Sequence, residues 1–173
     1  MNINKKIEEY FRTLPSERDF SSIAKHVKSV DSALEILRWS RTYGIREGFD
    51  SAINVLCDAP DVIIPTIESN EVTNEKELQV LILSLSFCTL DIELKFNTLK
   101  SLIPLHKGRL VKNTIIDGFL GLLDVMTSSD LITTDILIKE IQDNYLCANE
   151  QDEYIRNLAQ KGVRELREYV CVI

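Results

Sequence analysis

The sequence predicts an all-α fold, and three observations lead to it. Turn-forming residues are scarce, with six glycines and four prolines in 173 residues, which is too few for a β-sandwich. Apolar residues recur at helical spacing along most of the chain, and no short segment alternates as a half-buried strand would. Hydrophobic residues make up 45% and charged residues 27%, an ordinary globular composition. We therefore expect a single all-helical domain over residues 1–173, with about ten helices in antiparallel pairs.

Capping and helix-breaking residues set the predicted boundaries in the first half of the chain. Pro15 is expected to end the first helix, whose inward stripe includes Leu14, while Asp31 caps the third helix and Gly44 closes it. Pro65 is expected in the first turn of a short helix, where a proline costs little. The predicted helices of this half each carry one apolar stripe and span residues 2–13, 21–30, 32–43, 46–57 and 62–68.

The second half begins with the most apolar helix. Asn74, followed by Glu77 three residues later, is typical of an N-cap with a capping-box acid. The helix after it, residues 75–88, is apolar on nearly every side, so we expect it to be the buried centre of the fold. Asp91, Thr134 and Asn149 are the expected caps of later helices. These helices span about residues 92–103, 110–126, 135–146 and 150–170.

Three segments resemble HEAT or armadillo repeats. The similarity to a first HEAT helix, its Asp-Pro turn and its second helix lies in Phe49-x-x-Ala52-Ile53-x-x-Leu56, Asp58-Ala59-Pro60-Asp61 and Val62-Ile63-Ile64-Pro65. Two later segments also resemble a first HEAT helix, and they are Phe96-x-x-Leu99-x-x-Leu102-Ile103 and Ile155-Arg156-x-x-Ala159. The resemblance implies an α-solenoid with a concave or flat binding surface. The alternative is an irregular helical bundle.

No motif of the chain carries a recognisable catalytic chemistry. His26 and His106 are the only histidines and are far apart, and the cysteines match neither C-x-x-C nor a zinc spacing. Cys57, Cys88 and Cys147 are expected in the core. We therefore expect no enzyme activity, no cofactor and no metal ion, in a reduced, cytoplasmic protein. No apolar run approaches the ~20 residues of a membrane span, so no membrane association is expected.

Residues 38–46 concentrate aromatic and basic side chains. Trp39, the only tryptophan, and Tyr43 occur there with three arginines, Arg38, Arg41 and Arg46. Arginine and aromatic residues together can stack on nucleobases or anchor a protein partner. The alternative is that Trp39 and Tyr43 pack between helices while the arginines point outward.

Basic residues also gather between positions 95 and 112, where no acidic residue occurs. They are Lys95, Lys100, Lys107, Arg109 and Lys112. Two interpretations are open, a phosphate-binding patch and a solvated surface. The formal net charge of −7 makes nucleic acid an improbable partner for the whole chain.

Acidic residues are concentrated in two windows. Residues 50–93 and residues 117–153 each hold nine acids and one base, which is 18 of the 27 acids but two of the 20 bases. If a solenoid brings the connecting loops to one side, six of these acids form one negative rim, which would attract a basic protein. The expected rim consists of Asp58, Asp61, Glu68, Glu71, Glu75 and Asp130. Alternatively, many of the acids only stabilise helix N-termini.

The charge distribution favours a non-catalytic binding protein for a basic protein partner. The expected contacts are the rim acids, with Trp39 or Tyr43 as an aromatic anchor. The chain is similar in general character to bacterial immunity proteins, which are small, acidic and free of catalytic motifs. That similarity implies a toxin nuclease as partner, for example in contact-dependent growth inhibition, with its active site occluded. The alternatives are a HEAT-like adaptor in a larger assembly and, third, a nucleic-acid-binding HEAT-fold protein.

Overall fold

The computed structural model describes residues 3–69, 72, 74–127 and 130–170, and within these ranges the chain is helical without any β-strand. The predicted all-α class is confirmed. The α-helices span Ile3–Arg12 (α1), Phe20–Ala24 (α2), Val30–Thr42 (α3), Arg46–Cys57 (α4), Pro60–Glu68 (α5), Glu75–Phe87 (α6), Ile92–Leu102 (α7), Arg109–Gly121 (α8), Thr134–Tyr145 (α9) and Glu153–Val170 (α10). Two 3₁₀ turns, Pro15–Glu17 and Leu122–Asp124, lie between them. No helix in the described ranges combines the length and apolar character that crossing a membrane requires.

Packing divides the chain into two compact units, Met1–Thr89 and Leu90–Ile173, called unit 1 and unit 2 below. Unit 1 contains α1 to α6, and unit 2 contains α7 to α10. Aliphatic side chains fill the interior of each, with Leu37 and Leu56 fully buried in unit 1 and Ile116 and Leu166 fully buried in unit 2. The single domain expected over residues 1–173 stays a prediction.

The first two long helices of unit 1, α3 and α4, run antiparallel and approach closely. Gly44, in the turn between them, has a φ of 60°, the left-handed conformation that the sequence predicts there. Gly48 near the start of α4 faces Ser40 near the end of α3. A Cβ at position 48 would lie 2.5 Å from the Ser40 Oγ and 2.9 Å from its Cα. Only glycine fits here, because the backbone of α3 cannot give way as a flexible side chain would.

Helix α6 is the buried centre of unit 1. Leu78, Leu81 and Leu85 are all at least 98% buried, as the sequence predicts. Phe87 at its C-terminal end is 67% exposed, however, so the helix is not buried on every side. The reason is that Phe87 continues the least buried face of α6, which also carries Lys76, Gln79 and Leu83, whereas Ser86 and Cys88 on either side of it are buried.

The predicted capping box of α6 is only half present. The Asn74 side chain accepts hydrogen bonds from the backbone N–H groups of Lys76 and Glu77, as an N-cap should. The Glu77 carboxylate does not return this bond. It is buried instead, and it accepts a hydrogen bond from Arg41 Nη1 at 2.5 Å.

Two contacts fix the relative direction of α4 and α6. Arg41, at the end of α3, binds Glu77 in the first turn of α6. The Cys57 thiol, at the end of α4, donates to the carbonyl of Ser84 near the end of α6, at 3.5 Å. Because α4 begins where α3 ends, α4 and α6 lie side by side and run in the same direction. Helix α5 connects them and packs against α3, α4 and α6.

Unit 2 contains a similar pair of helices. Arg109 at the start of α8 binds Asp152 just before α10, at 2.6 Å. Gly162, in the middle of α10, faces Ile116 and Leu120 of α8. Helices α8 and α10 therefore also run side by side in the same direction, with α7 packed on α8 and α9 packed on α10.

Two details of the N-terminal helices differ from the prediction. Leu14 is 63% exposed because α1 ends at Arg12, two residues before it, so Leu14 leaves the apolar stripe. Helix α3 is capped by Ser29 and not by Asp31. The side chains of Ser29 and Ser32 each accept a bond from the backbone N–H of the other, and this reciprocal pair starts the helix earlier.

The boundaries of α9 and α10 are also shifted. Thr133, and not Thr134, caps α9. Helix α10 begins at residue 153 with Asp152 as its cap, whereas Asn149 was expected to cap a helix from Glu150. The physical reason is that the Glu150 carboxylate is buried and accepts the backbone N–H of Asp152, which holds this segment in a turn.

Candidate partner-binding surface

Glu35, Trp39 and Tyr43 form one column along α3, in which Tyr43 is exposed and the other two are half-buried. They are four residues apart, so successive members lie one helical turn apart on the same face. Trp39 Nε1 donates a hydrogen bond to Glu35 Oε1 at 2.9 Å. The Trp39 and Tyr43 rings stack, with centroids 5.1 Å apart and planes 16° from parallel. Tyr43 is 52% exposed, so the interpretation in which both rings pack between helices is wrong for Tyr43.

A small groove runs beside this column, and we call it the α3 groove. Its volume is about 150 Å³, and it is lined by Glu35, Arg38, Trp39, Thr42 and Tyr43. Arg38 Nη1 lies 3.8 Å from Glu35 Oε2, a long and half-exposed ion pair. One oxygen of the Glu35 carboxylate therefore holds the indole in place, and the other oxygen makes only the long contact with Arg38.

The arginines of the 38–46 segment do not form one basic patch. Arg41 points away from the α3 groove and binds the buried Glu77. The side chain of Arg46 lies outside the described residues. Arg38 alone lines the groove. The sequence hypothesis of a nucleobase-stacking cluster therefore lacks a second described guanidinium at the aromatic pair.

Four of the predicted rim acids belong to unit 1, and all four are exposed. They are Asp58, Asp61, Glu68 and Glu75. Among the residues that the structure describes, no basic side chain forms an ion pair with any of them. Helix α5 carries no basic residue at all. Glu71 lies outside the described residues, so its place on this surface stays a prediction.

These acids are not gathered around one end of the helices. Asp58 and Asp61 lie where α4 ends, which is the end at which α6 also finishes. Glu75 lies at the opposite end, in the same first turn of α6 as Glu77. Within unit 1 the structure therefore distributes these acids between two ends that are one α6 length, about 20 Å, apart, instead of placing them on a single loop rim. Glu75 is the acid that shares an end of the unit with the α3 groove.

Helix α5 presents an acidic stripe that the sequence reading missed. Asp61, Pro65 and Glu68 follow the i, i+4, i+7 spacing of one helix face, and all three are exposed. Pro65 lies inside the helix and not in its first turn, because α5 begins at Pro60. Proline has no N–H, so the carbonyl of Asp61 lacks its usual helical donor. The α5 stripe thus offers two carboxylates about 10 Å apart. Its signal in the sequence is the seven-residue spacing of Asp61 and Glu68 within the short helix.

Asp130 belongs to unit 2, apart from the other rim acids. Its Oδ2 accepts hydrogen bonds from the backbone N–H and the hydroxyl of Thr127, at 2.5 and 2.9 Å. It lines a cavity of about 290 Å³ with Met126, Ile132 and Tyr169 among the other lining residues. Local turn bonds account for its position, and its role in partner binding stays a prediction.

Three side chains of the basic stretch form ion pairs with acids of the second acidic window. The ion pairs are Lys100–Glu140 at 2.9 Å, Arg109–Asp152 at 2.6 Å and Lys112–Glu150 at 2.5 Å. Lys95 is 1% exposed and takes an inward position on α7, next to Leu94, which is 43% exposed. The solvated-surface interpretation describes Lys100, Lys107 and Arg109, which are exposed, but not Lys95. The three ion pairs leave fewer free cations for a phosphate patch.

The ion pairs of unit 2 shift the pKa values of two carboxyls. The hydrogen bond from Arg109 lowers the pKa of Asp152 below its ordinary value. Burial raises the pKa of Glu150, but the bonds from Lys112 and from the backbone N–H of Asp152 outweigh burial, so its pKa is also lowered. Both groups are therefore ionised and paired at neutral pH.

The histidines and cysteines do not converge. His26 is exposed on α2's C-terminal side, and its Nε2 lies 2.6 Å from Lys6 Nζ, whereas His106 lies in the loop before α8. Cys88 is buried as expected, and Cys57 and Cys147 are partly buried. No group of three or more His, Cys, Asp or Glu side chains in the described ranges is arranged to hold a metal ion.

Comparison of the chain with models of protein families, with curated proteins and with solved structures found no match. The resemblance to HEAT and armadillo repeats therefore stays a prediction. The choice between a regular solenoid and an irregular bundle is likewise open.

Proposed function

We propose that the chain is a non-catalytic binding protein for a basic protein partner and that unit 1 carries the contact surface. One observation supports this most: Asp58, Asp61, Glu68 and Glu75 are exposed and form no ion pair with any described basic residue. In unit 2, by contrast, three acids of the second acidic window do form such pairs. Unneutralised carboxylates on one face attract a basic protein and raise its association rate.

Helix capping does not account for all of these acids. Asp61 lies in the first turn of α5, where a negative charge stabilises the helix. Glu68 is the last residue of α5, where the same charge is unfavourable by about 0.3–1 kcal/mol. A residue that costs helix stability and has no described partner within the chain is better explained by a partner outside it.

In its most specific form the proposal makes the chain an immunity protein that occludes the active site of a toxin nuclease. The cleft of a nuclease is built to hold phosphates, and the carboxylates of the α5 stripe can take their place. This form requires a cytoplasmic protein without catalytic activity, cofactor or metal. Nucleic acid itself is disfavoured as a partner, because three of the five cations of the basic stretch, Lys100, Arg109 and Lys112, are already paired with carboxylates.

A second candidate function is that of a HEAT-like adaptor. Its support is the packing in each unit, where helices of the same direction lie side by side, α4 with α6 and α8 with α10. Stacked helix pairs of this kind build the extended surfaces of α-solenoids. An adaptor would use an apolar or basic contact face, and the acids of unit 1 would then be only solvating surface.

The test is charge reversal on the α5 stripe. The immobilised full chain is used to capture proteins from a lysate of its source at about 50 mM and at about 500 mM salt, and the captured protein is then purified. The double variant Asp61→Lys, Glu68→Lys should bind it at least about a hundredfold more weakly, because loss of one partner of a desolvated interfacial charge pair costs about 2–5 kcal/mol. Inhibition of nuclease activity by the wild-type chain would identify the immunity form.

A matched control carries the same change in charge elsewhere in unit 1. Glu9→Lys, Glu17→Lys alters two exposed acids that are not on α5 and should bind nearly as the wild type does. Circular dichroism checks that both double variants are folded. Equal binding by the α5 variant and the wild type would show that the acids of α5 are not the contact surface, and it would favour the adaptor function.

A further inference from the structure

The α3 groove has the size and shape for the head of one side chain. Its volume of about 150 Å³ is about five times the ~30 Å³ that a water molecule occupies in the liquid. One wall is the stacked pair of Trp39 and Tyr43, held in place because Glu35 binds the indole N–H. A rigid, exposed aromatic wall is a preorganised platform for a flat group.

Two negative groups adjoin the α3 groove, and Arg38 is the one described base that lines it. The first is Glu35, because one oxygen of its carboxylate has only the long contact of 3.8 Å with Arg38. The second is the end of α3, because Tyr43 is its C-cap and a helix C-terminus carries partial negative charge.

We propose that the α3 groove receives an arginine side chain of the basic protein partner, with its guanidinium stacked on Tyr43 and bound to Glu35. The inference rests on the proposed function, since it names the group by which that partner is anchored. Arginine fits better than lysine, because its planar guanidinium stacks on aromatic rings and can at the same time donate an N–H to the second oxygen of Glu35. A nucleobase could also stack, but its phosphates would meet Glu35 with Arg38 as the one described cation lining the groove.

The lone tryptophan makes the groove directly observable. Trp39 emission of the full chain is titrated with hexa-arginine, hexa-lysine and hexa-citrulline peptides and with a dT oligonucleotide. Total binding of each probe is measured in parallel by fluorescence anisotropy of labelled probes. We expect hexa-arginine to change the emission at a concentration at least tenfold lower than hexa-lysine, and hexa-citrulline to have no effect.

Variants separate the groove from the rest of the acidic surface. Tyr43→Ala and Glu35→Gln should each weaken the emission response to hexa-arginine at least tenfold, while Tyr43→Phe keeps it because the ring supplies the stacking. Tyr154→Ala removes a similarly exposed tyrosine of unit 2 and should leave the response unchanged. Circular dichroism confirms that each variant is folded.

The outcomes distinguish this inference from the proposed function. Hexa-arginine binding that depends on Asp61 and Glu68 but leaves Trp39 emission unchanged would overturn the groove proposal alone. An emission response that requires Tyr43 and Glu35 but persists with the α5 charges reversed would support the groove and count against the acidic surface of α5. A response as strong to hexa-lysine or hexa-citrulline, or a tighter one to the dT oligonucleotide, would overturn the arginine assignment.

Discussion

Gly48 and Gly162 both lie inside helices, yet the space beside each of them differs. A Cβ at position 48 would overlap the backbone of Ser40, whereas one at position 162 would meet the side chains of Ile116 and Leu120 at 3.5–3.6 Å, an ordinary contact distance. Alanine is also a better helix former than glycine by about 1 kcal/mol. The two positions therefore respond in opposite directions to the same substitution.

We expect Gly48→Ala to destabilise the protein by about 1–3 kcal/mol, because α3 and α4 must move apart. Gly162→Ala should stabilise it by about 1 kcal/mol, through helix propensity and the contact with α8. Urea denaturation monitored by circular dichroism measures both free energies of unfolding. A loss of stability in Gly162→Ala, or none in Gly48→Ala, would contradict the packing described for these helices.

Single residues also show where a sequence is informative. The left-handed conformation of Gly44 could be predicted, because the end of a helix is a local property. The contact of Gly48 with Ser40 could not, because it depends on how closely two helices approach. The sequence draws attention to Trp39 and Tyr43 because they occur together among arginines, but the contact of Glu35 with this pair emerges only from its hydrogen bond to the indole. Its position four residues before Trp39 was the available signal.

At the scale of one helix, α6 offers a test of the core of unit 1. Leu81 is fully buried and Phe87, six residues later, is 67% exposed. Leu81→Asp places an unpaired charge in the core and should cost several kcal/mol, enough to unfold unit 1. Phe87→Asp is the matched control on the same helix and should change the free energy of unfolding by less than about 1 kcal/mol. Thermal melts followed by circular dichroism compare them, and a folded Leu81→Asp variant of unchanged Tm would show that α6 is not central.

Helix existence and most boundaries were predictable because caps and apolar spacing are local signals. Helix α4 has the predicted ends, and α6 begins after its predicted cap. The start of α10 was not predictable, because it is set by Glu150, whose carboxylate binds Lys112 on another helix. The same limit applies to Glu77, which looked like a local capping acid and instead binds Arg41, 36 residues away.

At the scale of the whole molecule, the charge segregation of the sequence has two different outcomes. The second acidic window meets the basic stretch in three ion pairs inside unit 2, whose members are about 40 residues apart in sequence. The first window contributes one such pair, Arg41–Glu77, whereas its exposed acids Asp58, Asp61, Glu68 and Glu75 pair with no described base of unit 1. A charge count along the sequence cannot separate these outcomes, because only the fold decides which distant charges meet.

The ion pairs of unit 2 predict how stability depends on pH. A carboxyl whose pKa is lowered by folding contributes stability that is present above its unfolded pKa and is lost as the pH falls through its folded pKa. Glu150 and Asp152 are of this kind. Burial raises the pKa of Asp117, so protonation of that group favours the folded state and acts in the opposite direction.

We therefore expect Glu150→Gln and Asp152→Asn to lower the Tm near pH 7 and to approach the wild-type Tm as the pH falls towards 3. Asp117→Asn should instead have a higher Tm than the wild type near pH 7, and this difference should shrink at low pH. The amide can keep the hydrogen bond from Asn113. Differential scanning calorimetry across this range measures all three. A pH-independent difference for Glu150→Gln would show that its ion pair with Lys112 does not persist in solution.

The position of the single indole also determines what unfolding experiments report. Trp39 lies in unit 1, so its emission follows the melting of that unit and is blind to unit 2, whereas far-ultraviolet circular dichroism averages the helices of both. Comparison of the two probes therefore shows whether unit 1 and unit 2 unfold together, without any added label. Coincident transitions would mean that residues 1–173 unfold as one thermodynamic body, and separated transitions would assign each melting step to its own unit.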